Sequence, residues 1–317
     1  MRLEEVFTLY DAYIKLPFQV SNRILDGVAE PTHLTERLKL ETNNLVGSFE
    51  FTENNGRDGE DLPYASSSLV QTEIEPTLKY YLTSFDKTKI VTQPLDVIAK
   101  LRLSMHYGWL RAQDTSILTA LKAANLYTAA STSVMAYEEK NFLDLSDPTT
   151  GSVLKLEHIR MMQAELYARS MYNMGIPIWI CDSSFMASLA KIDEAVSKEF
   201  VTEKENMMVR QPGPGLHRKI YGGFEWRVVP GYSYGSSNQS ALGSTSTVNV
   251  SYIVVPNVLA EVDTANNSPT VEHADQFDRD RVALKARAHV GAGVTRPYTT
   301  NSDKAILGIF KIMLKDH

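Results

Sequence analysis

Residues 45–52 read Leu45-Val46-Gly47-Ser48-Phe49-Glu50-Phe51-Thr52, and residues 74–82 read Ile74-Glu75-Pro76-Thr77-Leu78-Lys79-Tyr80-Tyr81-Leu82. Both stretches alternate in polarity. Leu45, Phe49 and Phe51 share one face of the first; Ile74, Leu78, Tyr80 and Leu82 share one face of the second, opposite Gln71, Glu73, Glu75 and Lys79. Between them runs a series of turn formers, Asn54-Asn55-Gly56-Arg57-Asp58-Gly59-Glu60-Asp61. Period-two patterning on both sides of an Asn/Gly/Asp cluster predicts a long β-hairpin over 45–90. A helix is predicted directly after it, over 94–125. Thr92 offers a capping hydroxyl, Pro94 suits the first turn, and Asp96 favours the positive end of the helix dipole. Apolar residues recur at helical spacing, at Ile98, Leu101, Met105, Trp109 and Ala112, then at Ile117, Leu118, Leu121 and Ala124, with Asn125 as a stop. At about 1.5 Å per residue such a helix is roughly 45–50 Å long, more than a compact domain of this size needs. A long arm beside a long rod suggests a building block rather than a pocket.

Composition narrows the function classes. The chain has 317 residues, 43% of them hydrophobic and 22% charged, which is ordinary for a folded protein with a large core. Its net charge of −6 gives no global basic field to draw it onto nucleic acid. One cysteine, Cys181, excludes an intrachain disulfide framework and a cysteine-rich zinc site. Acids at Glu4 and Glu5 and the lack of an apolar run near the start argue against a secretory signal, and no run of about 18 apolar residues is long enough to span a membrane. A reducing cytoplasm is the expected place of synthesis.

Along the chain, residues 4–24 read as a modest amphipathic helix interrupted at Pro17, and 28–44 as a polar stretch broken at Pro31 and at Asn43-Asn44. Together they read as an arm that packs on something else. Residues 126–153 are looser and end in Asp147-Pro148-Thr149-Thr150-Gly151, a boundary. A helix over 154–174 turns Leu156, Ile159, Met162 and Leu166 inward. A buried strand, 176–181, leads to Asp182-Ser183-Ser184, which caps a further helix. Ile220-Tyr221-Gly222-Gly223-Phe224 reads as a tight turn before the strand 224–229, and strands are also expected at 248–255, 281–290 and 305–314. In 281–290, Val282, Leu284, Ala286, Ala288 and Val290 face one way and Arg281, Lys285, Arg287 and His289 the other. Arg281, Lys285 and Arg287 make a candidate basic face for phosphates or an acidic neighbour.

Searches for chemistry return little. Neither phosphate-binding glycine pattern is present, nor His-Glu-x-x-His, nor Gly-x-Ser-x-Gly. The seven histidines are scattered, none with a second at metal-ligand spacing, and His106 and His158 read as structural. Cys181-Asp182-Ser183-Ser184 sits where α/β enzymes place nucleophiles, but the flanking glycines are missing and an N-cap explains the residues. The 55–61 tip lacks the alternating acids of a calcium loop. No catalytic, cofactor-binding or metal-ligating residue is assigned, and no enzyme activity is expected.

The order of these parts, with the phrases Trp179-Ile180-Cys181-Asp182-Ser183 and Tyr221-Gly222-Gly223-Phe224-Glu225-Trp226-Arg227-Val228-Val229-Pro230, resembles the major capsid proteins of tailed bacteriophages. The resemblance implies an α+β Hong Kong 97-like coat fold. Its parts would be an N-arm (1–44), an extended E-loop hairpin (45–92), a P-domain region with a long spine helix (93–153), an A-domain (154–255) and P-domain return strands (256–317). It implies a structural protein whose many copies, as hexamers and pentamers, build the icosahedral head shell of a virion. Double-stranded DNA would lie on the inner face, with a portal and scaffold or decoration proteins as further partners and assembly in the host cytoplasm. Expected inter-subunit contacts on the hairpin are Phe49, Phe51, Arg57, Leu62, Tyr64, Ile74, Leu78 and Tyr80. Some family members form a Lys–Asn crosslink; Lys79, Lys87 and Lys89 lie near the hairpin base rather than its tip, which argues against one here. The alternatives are an encapsulin-like nanocompartment shell and a soluble α/β enzyme built on 176–184.

Overall fold

The computed structural model describes residues 23–34, 39–47, 67–86, 88, 94–124, 142–145, 154–168, 175–182, 185, 219–229, 242–245, 248–263, 270–276, 281–295 and 308–315. A turn over 23–28 leads into β1 (Ala29–His33) and β2 (Leu40–Gly47). β1 and the start of β2 therefore occupy the polar stretch 28–44, read from the sequence as part of an arm that packs on something else. Pro31 is accommodated because β1 is an edge strand, where one side of the ladder needs no donor. Residues 1–22, which carry most of the predicted 4–24 helix, lie outside the described residues.

The hairpin is present, with its first leg starting at Leu40 rather than Leu45. β2 runs antiparallel to β3 (Ser67–Ile74), from Leu40 opposite Ile74 to Gly47 opposite Ser67. At its base Thr42 and Thr72 face each other with their hydroxyl oxygens 2.5 Å apart. Glu41 and Glu73 are also directly opposed, and like charges there would repel, but Lys39 forms ion pairs with both. The tip, with Phe49, Phe51, Arg57, Leu62 and Tyr64, lies outside the described residues.

The return leg is two strands, not one. Pro76 cannot donate to a ladder, and the chain changes partner there. After it, β4 (Thr77–Asp86) leaves β2 and runs along β12 (Arg281–Val294), from Thr77 opposite Val290 to Asp86 opposite Arg281. β12 is the axis of a five-stranded sheet. β4 lies along one edge; β11 (Thr270–Gln276) and β10 (Leu259–Asp263) share the other, and β1 adds parallel to β10. The predicted long helix, α1 (Pro94–Ala123, 30 residues), packs across this sheet. Of its expected apolar face, Met105, Trp109, Ile117, Leu118 and Leu121 are buried; Leu110, Gln113 and Asp114 are buried as well.

A six-stranded sheet follows the order β5 (Phe142–Leu145), β13 (Ile309–Lys315), β9 (Val248–Val254), β6 (Ile178–Cys181), β8 (Phe224–Val228) and β7 (Lys219–Tyr221). The closing strand, expected with the return strands of 256–317, thus pairs with β9 in this sheet and not with β12. β6 is buried throughout, as its apolar run predicts. Trp179 and Trp226 stand opposite each other in the β6–β8 pair and stack at 4.2 Å, with Phe224 edge-on to Trp179 at 5.1 Å. The expected tight turn joins β7 to β8; Gly222 and Gly223 both have positive φ, the requirement of a two-residue hairpin turn that matches strand twist. A side chain at Gly222 would also lie 2.8 Å from Ile159 of α2 (Leu156–Ala168); residues 169–174 of the predicted 154–174 helix lie outside the described residues. Ile159, Met162 and Leu166 of α2, the lower part of α1, the tryptophans and the 23–28 turn share one apolar core.

Candidate assembly surface

Directly opposed residues in an antiparallel pair point to the same face of a sheet, and neighbours along a strand alternate. On β12, Val282, Ala286, Ala288 and Val290 are buried on the side of α1, as predicted. Arg281, Lys285, Arg287 and His289 therefore lie on the outer face. Register adds the β4 residues that share it: Leu78 stands opposite His289, Tyr80 opposite Arg287 and Leu82 opposite Lys285. Leu78, Tyr80 and Leu82 are 49%, 67% and 63% exposed. The apolar stripe and the basic stripe, two separate features in the sequence, are neighbours on one surface.

The basic stripe is partly compensated from its other side. Glu272 of β11 pairs with Arg287, Oε1 to Nη2 at 2.5 Å, in an exposed ion pair. Arg281 is exposed and Lys285 half-buried. What the face offers is a mixed surface with an apolar strip beside cations.

The same outer face is covered at its other end. Gly291 and Gly293 of β12 carry no side chains, and the hairpin base crosses there. A Cβ at Gly291 would lie 2.8 Å from the Pro76 backbone, and one at Gly293 would lie 2.7 Å from the Ile74 side chain. Ile74 is buried against Ala260 and Val262, with Leu34 and Leu40 around them. Ile74, expected to share the exposed contact face with Leu78 and Tyr80, is thus an internal anchor of the hairpin.

Among the described residues, the candidates for chemistry Asp182, Cys181 and His158 have structural surroundings. The Asp182 carboxylate accepts a hydrogen bond from the backbone N–H of Phe185 at 2.8 Å, the predicted N-cap, and a second from the Ser244 hydroxyl at 2.7 Å. Cys181 is buried, and burial first, with the Asp182 charge adding to it, pushes its thiol well above the ordinary range, the opposite of an activated nucleophile. Ser183 and Ser184 lie outside the described residues. His158 Nδ1 accepts from the backbone N–H of Lys155 at 3.1 Å, and burial lowers the ring's affinity for a proton. No motif marked Arg23, Asp114 and Glu261, which meet in the interior. Two signals were available: Gln113-Asp114 interrupts the apolar face of α1, and Glu261 is a lone acid in the run Val258-Leu259-Ala260-Glu261-Val262.

No protein-family model matches the chain, and no curated protein matches it in sequence. Solved structures do match. The capsid of Ralstonia phage GP4 aligns with a TM-score of 0.68 over 96% of this chain and 92% of that one. The chain has a phage capsid fold. The acid-stable capsid of the Helicobacter pylori bacteriophage KHP30 aligns at a TM-score of 0.60, over 92% and 88% of the two chains, and the mature capsid of bacteriophage PhiM1 at 0.58, over 92% and 86%. Sequence identities are 9%, 10% and 14% in that order. The shared property is the α+β framework, and it extends over nearly the whole chain.

Proposed function

We propose that this chain is a major capsid protein, a structural protein whose copies build the icosahedral head shell around a tailed-phage genome. The observation that carries the reading is the likeness to phage capsids over more than nine-tenths of this chain and most of each of theirs. In this reading the five-stranded sheet with α1 is the P-domain and its spine, the six-stranded sheet is the A-domain, and β2–β3 with its tip is the E-loop. The site follows from the same reading. A single subunit leaves Leu78, Tyr80 and Leu82 in water, and exposed apolar surface of this kind marks association. A neighbouring copy covers the stripe, and the contact repeated around a ring closes into hexamers and pentamers. Phe49, Phe51, Arg57, Leu62 and Tyr64, which lie outside the described residues, would supply the other side of such contacts. Arg281, Lys285 and Arg287 favour an acidic neighbour there. DNA on the inner face, a portal, scaffold or decoration proteins, assembly in the host cytoplasm and residence in the virion belong to the same proposal.

Negative-stain microscopy of the purified protein tests it. Closed shells or rings of megadalton mass are expected; monomers and dimers alone under every condition tried would overturn the reading. The contents separate phage from compartment: nucleic acid in particles from infected cells fits a head shell, and an enclosed enzyme fits the encapsulin-like alternative. Deleting residues 53–63 is expected to block closure while the subunit still folds.

A further inference from the structure

Strand β4 is left open on more than its outer face. It pairs with β12 along one edge, and no strand lies on its other edge among the described residues. Lys79 and Tyr81 stand opposite Ala288 and Ala286, so they belong to the side of the sheet on which α1 packs. The helix lies mainly over β12, however, and reaches β4 only at its margin. A groove remains between helix and strand. α1 lines it with Met105, Gly108, Trp109 and Ala112, β4 with Lys79 and Tyr81, and β12 brings only the small Ala286 and Ala288 toward it. The groove is mostly apolar, open to solvent and about 100 Å³ in volume. That approaches the scale of one aromatic ring, since an apolar cavity of about 150 Å³ takes up benzene.

Gly108 is the residue that the subunit does not account for. Glycine in a helix interior is less stable than alanine. Gly291 and Gly293 clear space for Pro76 and Ile74, but a Cβ at Gly108 would meet nothing within 4 Å, and the residue is exposed. Packing among the described residues therefore has no need of a glycine there. What the missing side chain does is keep the groove open.

Charge indicates what enters. Lys79 is exposed and has no ion-pair partner among the described residues. Arg281, Lys285 and Arg287 lie on the adjoining strand, and of these Arg287 is engaged by Glu272. Residues 48–66, outside the described residues, hold Glu50, Glu53, Asp58, Glu60 and Asp61 against Arg57 alone. Residues 1–22 hold three acids against two bases, and residues 186–218 hold five of each. The acid excess of 48–66 thus stands apart, and the same stretch carries Phe49, Phe51 and Tyr64 to fill an apolar groove.

We propose that the groove between α1 and β4 is a socket for an aromatic side chain from residues 48–66 of a second copy, with Lys79 meeting the acids beside that ring. The inference rests on the shell reading and names the partner of its assembly surface. The second copy then engages β4 on both sides, at the outer stripe of Leu78, Tyr80 and Leu82 and at the groove. A ring buried in a pocket supplies most of the hold of such a contact, and the surrounding charges orient it.

A zero-length carbodiimide crosslink, which joins a lysine amine to a carboxylate, tests the socket on the unaltered protein. Heavy-isotope-labelled and unlabelled subunits are mixed, assembled, crosslinked and digested. A link from Lys79 to an acid of 48–66 is expected, in peptides that combine the two isotopes. A link confined to one copy, or no link from Lys79 to this stretch, would overturn the proposal. A second arm fills the groove with Gly108→Leu. This variant is expected to melt no lower than the parent, because the space beside Gly108 is empty and leucine favours the helix, and to lose about tenfold or more of both the crosslink and the particle yield. Gly108→Ala, the milder filling, is expected to melt above the parent and to assemble less well. Normal particles from both variants would sink the socket and leave the shell reading standing, whereas a parent that forms no particles would sink the shell reading itself.

Discussion

The two ends of the outer sheet face are built from the same strands and handled in opposite ways. At one end the hairpin base folds over β12 and β10, and glycines at 291 and 293 clear the space for Pro76 and Ile74. At the other end Leu78, Tyr80 and Leu82 stand in water beside Arg281, Lys285 and Arg287. At the covered end the chain buries its own apolar surface under the hairpin base. The difference teaches that the open end is not a region short of polar residues, since polar alternatives fit an exposed strand face at no cost. In the proposed reading its apolar stripe is covered by a neighbouring copy.

The sharpest way to break the comparison is to make the open end polar. Replacing Leu78, Tyr80 and Leu82 together with serine removes the stripe and leaves the interior untouched. Particle formation, read by sedimentation and microscopy, is expected to be lost altogether. Denaturant unfolding of the subunit is expected to move by no more than about 1 kcal/mol, since exposed positions contribute little. If shells still formed in full yield, the stripe would not be an association surface.

The covered end is expected to respond in the opposite sense. Ile74→Ala empties a buried site between Ala260 and Val262 and should lower subunit stability by about 2–5 kcal/mol in a chemical denaturation series. Gly291→Ala places a methyl group against the Pro76 backbone, which cannot move aside as a side chain can, and should cost roughly 1–3 kcal/mol. Equal effects of Ile74→Ala and Leu78→Ala on subunit stability would erase the distinction between the two ends.

Much of this arrangement was legible in the sequence, and what was not has physical causes. The long helix over 94–125 and the Gly222-Gly223 turn depend on local spacing and backbone conformation, and both are found nearly where they were expected. The alternation of 281–290 separated the buried from the exposed side of β12 for the same reason. Which strand lies beside which is a non-local fact. The single alternating leg from 71 to 82 concealed a change of partner at Pro76, and with it the burial of Ile74 and the exposure of its neighbours on the same face. Partner choice also decided the closing strand, whose apolar composition suits either sheet. The strand 29–33 was obscured because edge position makes Pro31 harmless, and edge position is not written locally. The Arg23 cluster was missed because its members lie 91 and 238 residues apart.

The smallest effect sharpens the role of the basic stripe. The Arg287–Glu272 pair is short, yet both side chains are nearly half exposed, and exposed ion pairs are worth about 0–1 kcal/mol. Arg287→Ala should therefore leave the unfolding midpoint of the isolated subunit almost unchanged. Its expected signature lies in assembly: a modest loss of particle yield at low salt that disappears at high salt, where surface charges are screened in parent and variant alike. Reversing Arg281, Lys285 and Arg287 to glutamate together should enlarge that salt-dependent loss, again with little change in the subunit. A yield equally low at both salt concentrations would place the effect in packing rather than charge, and leave the apolar stripe as the whole of the contact.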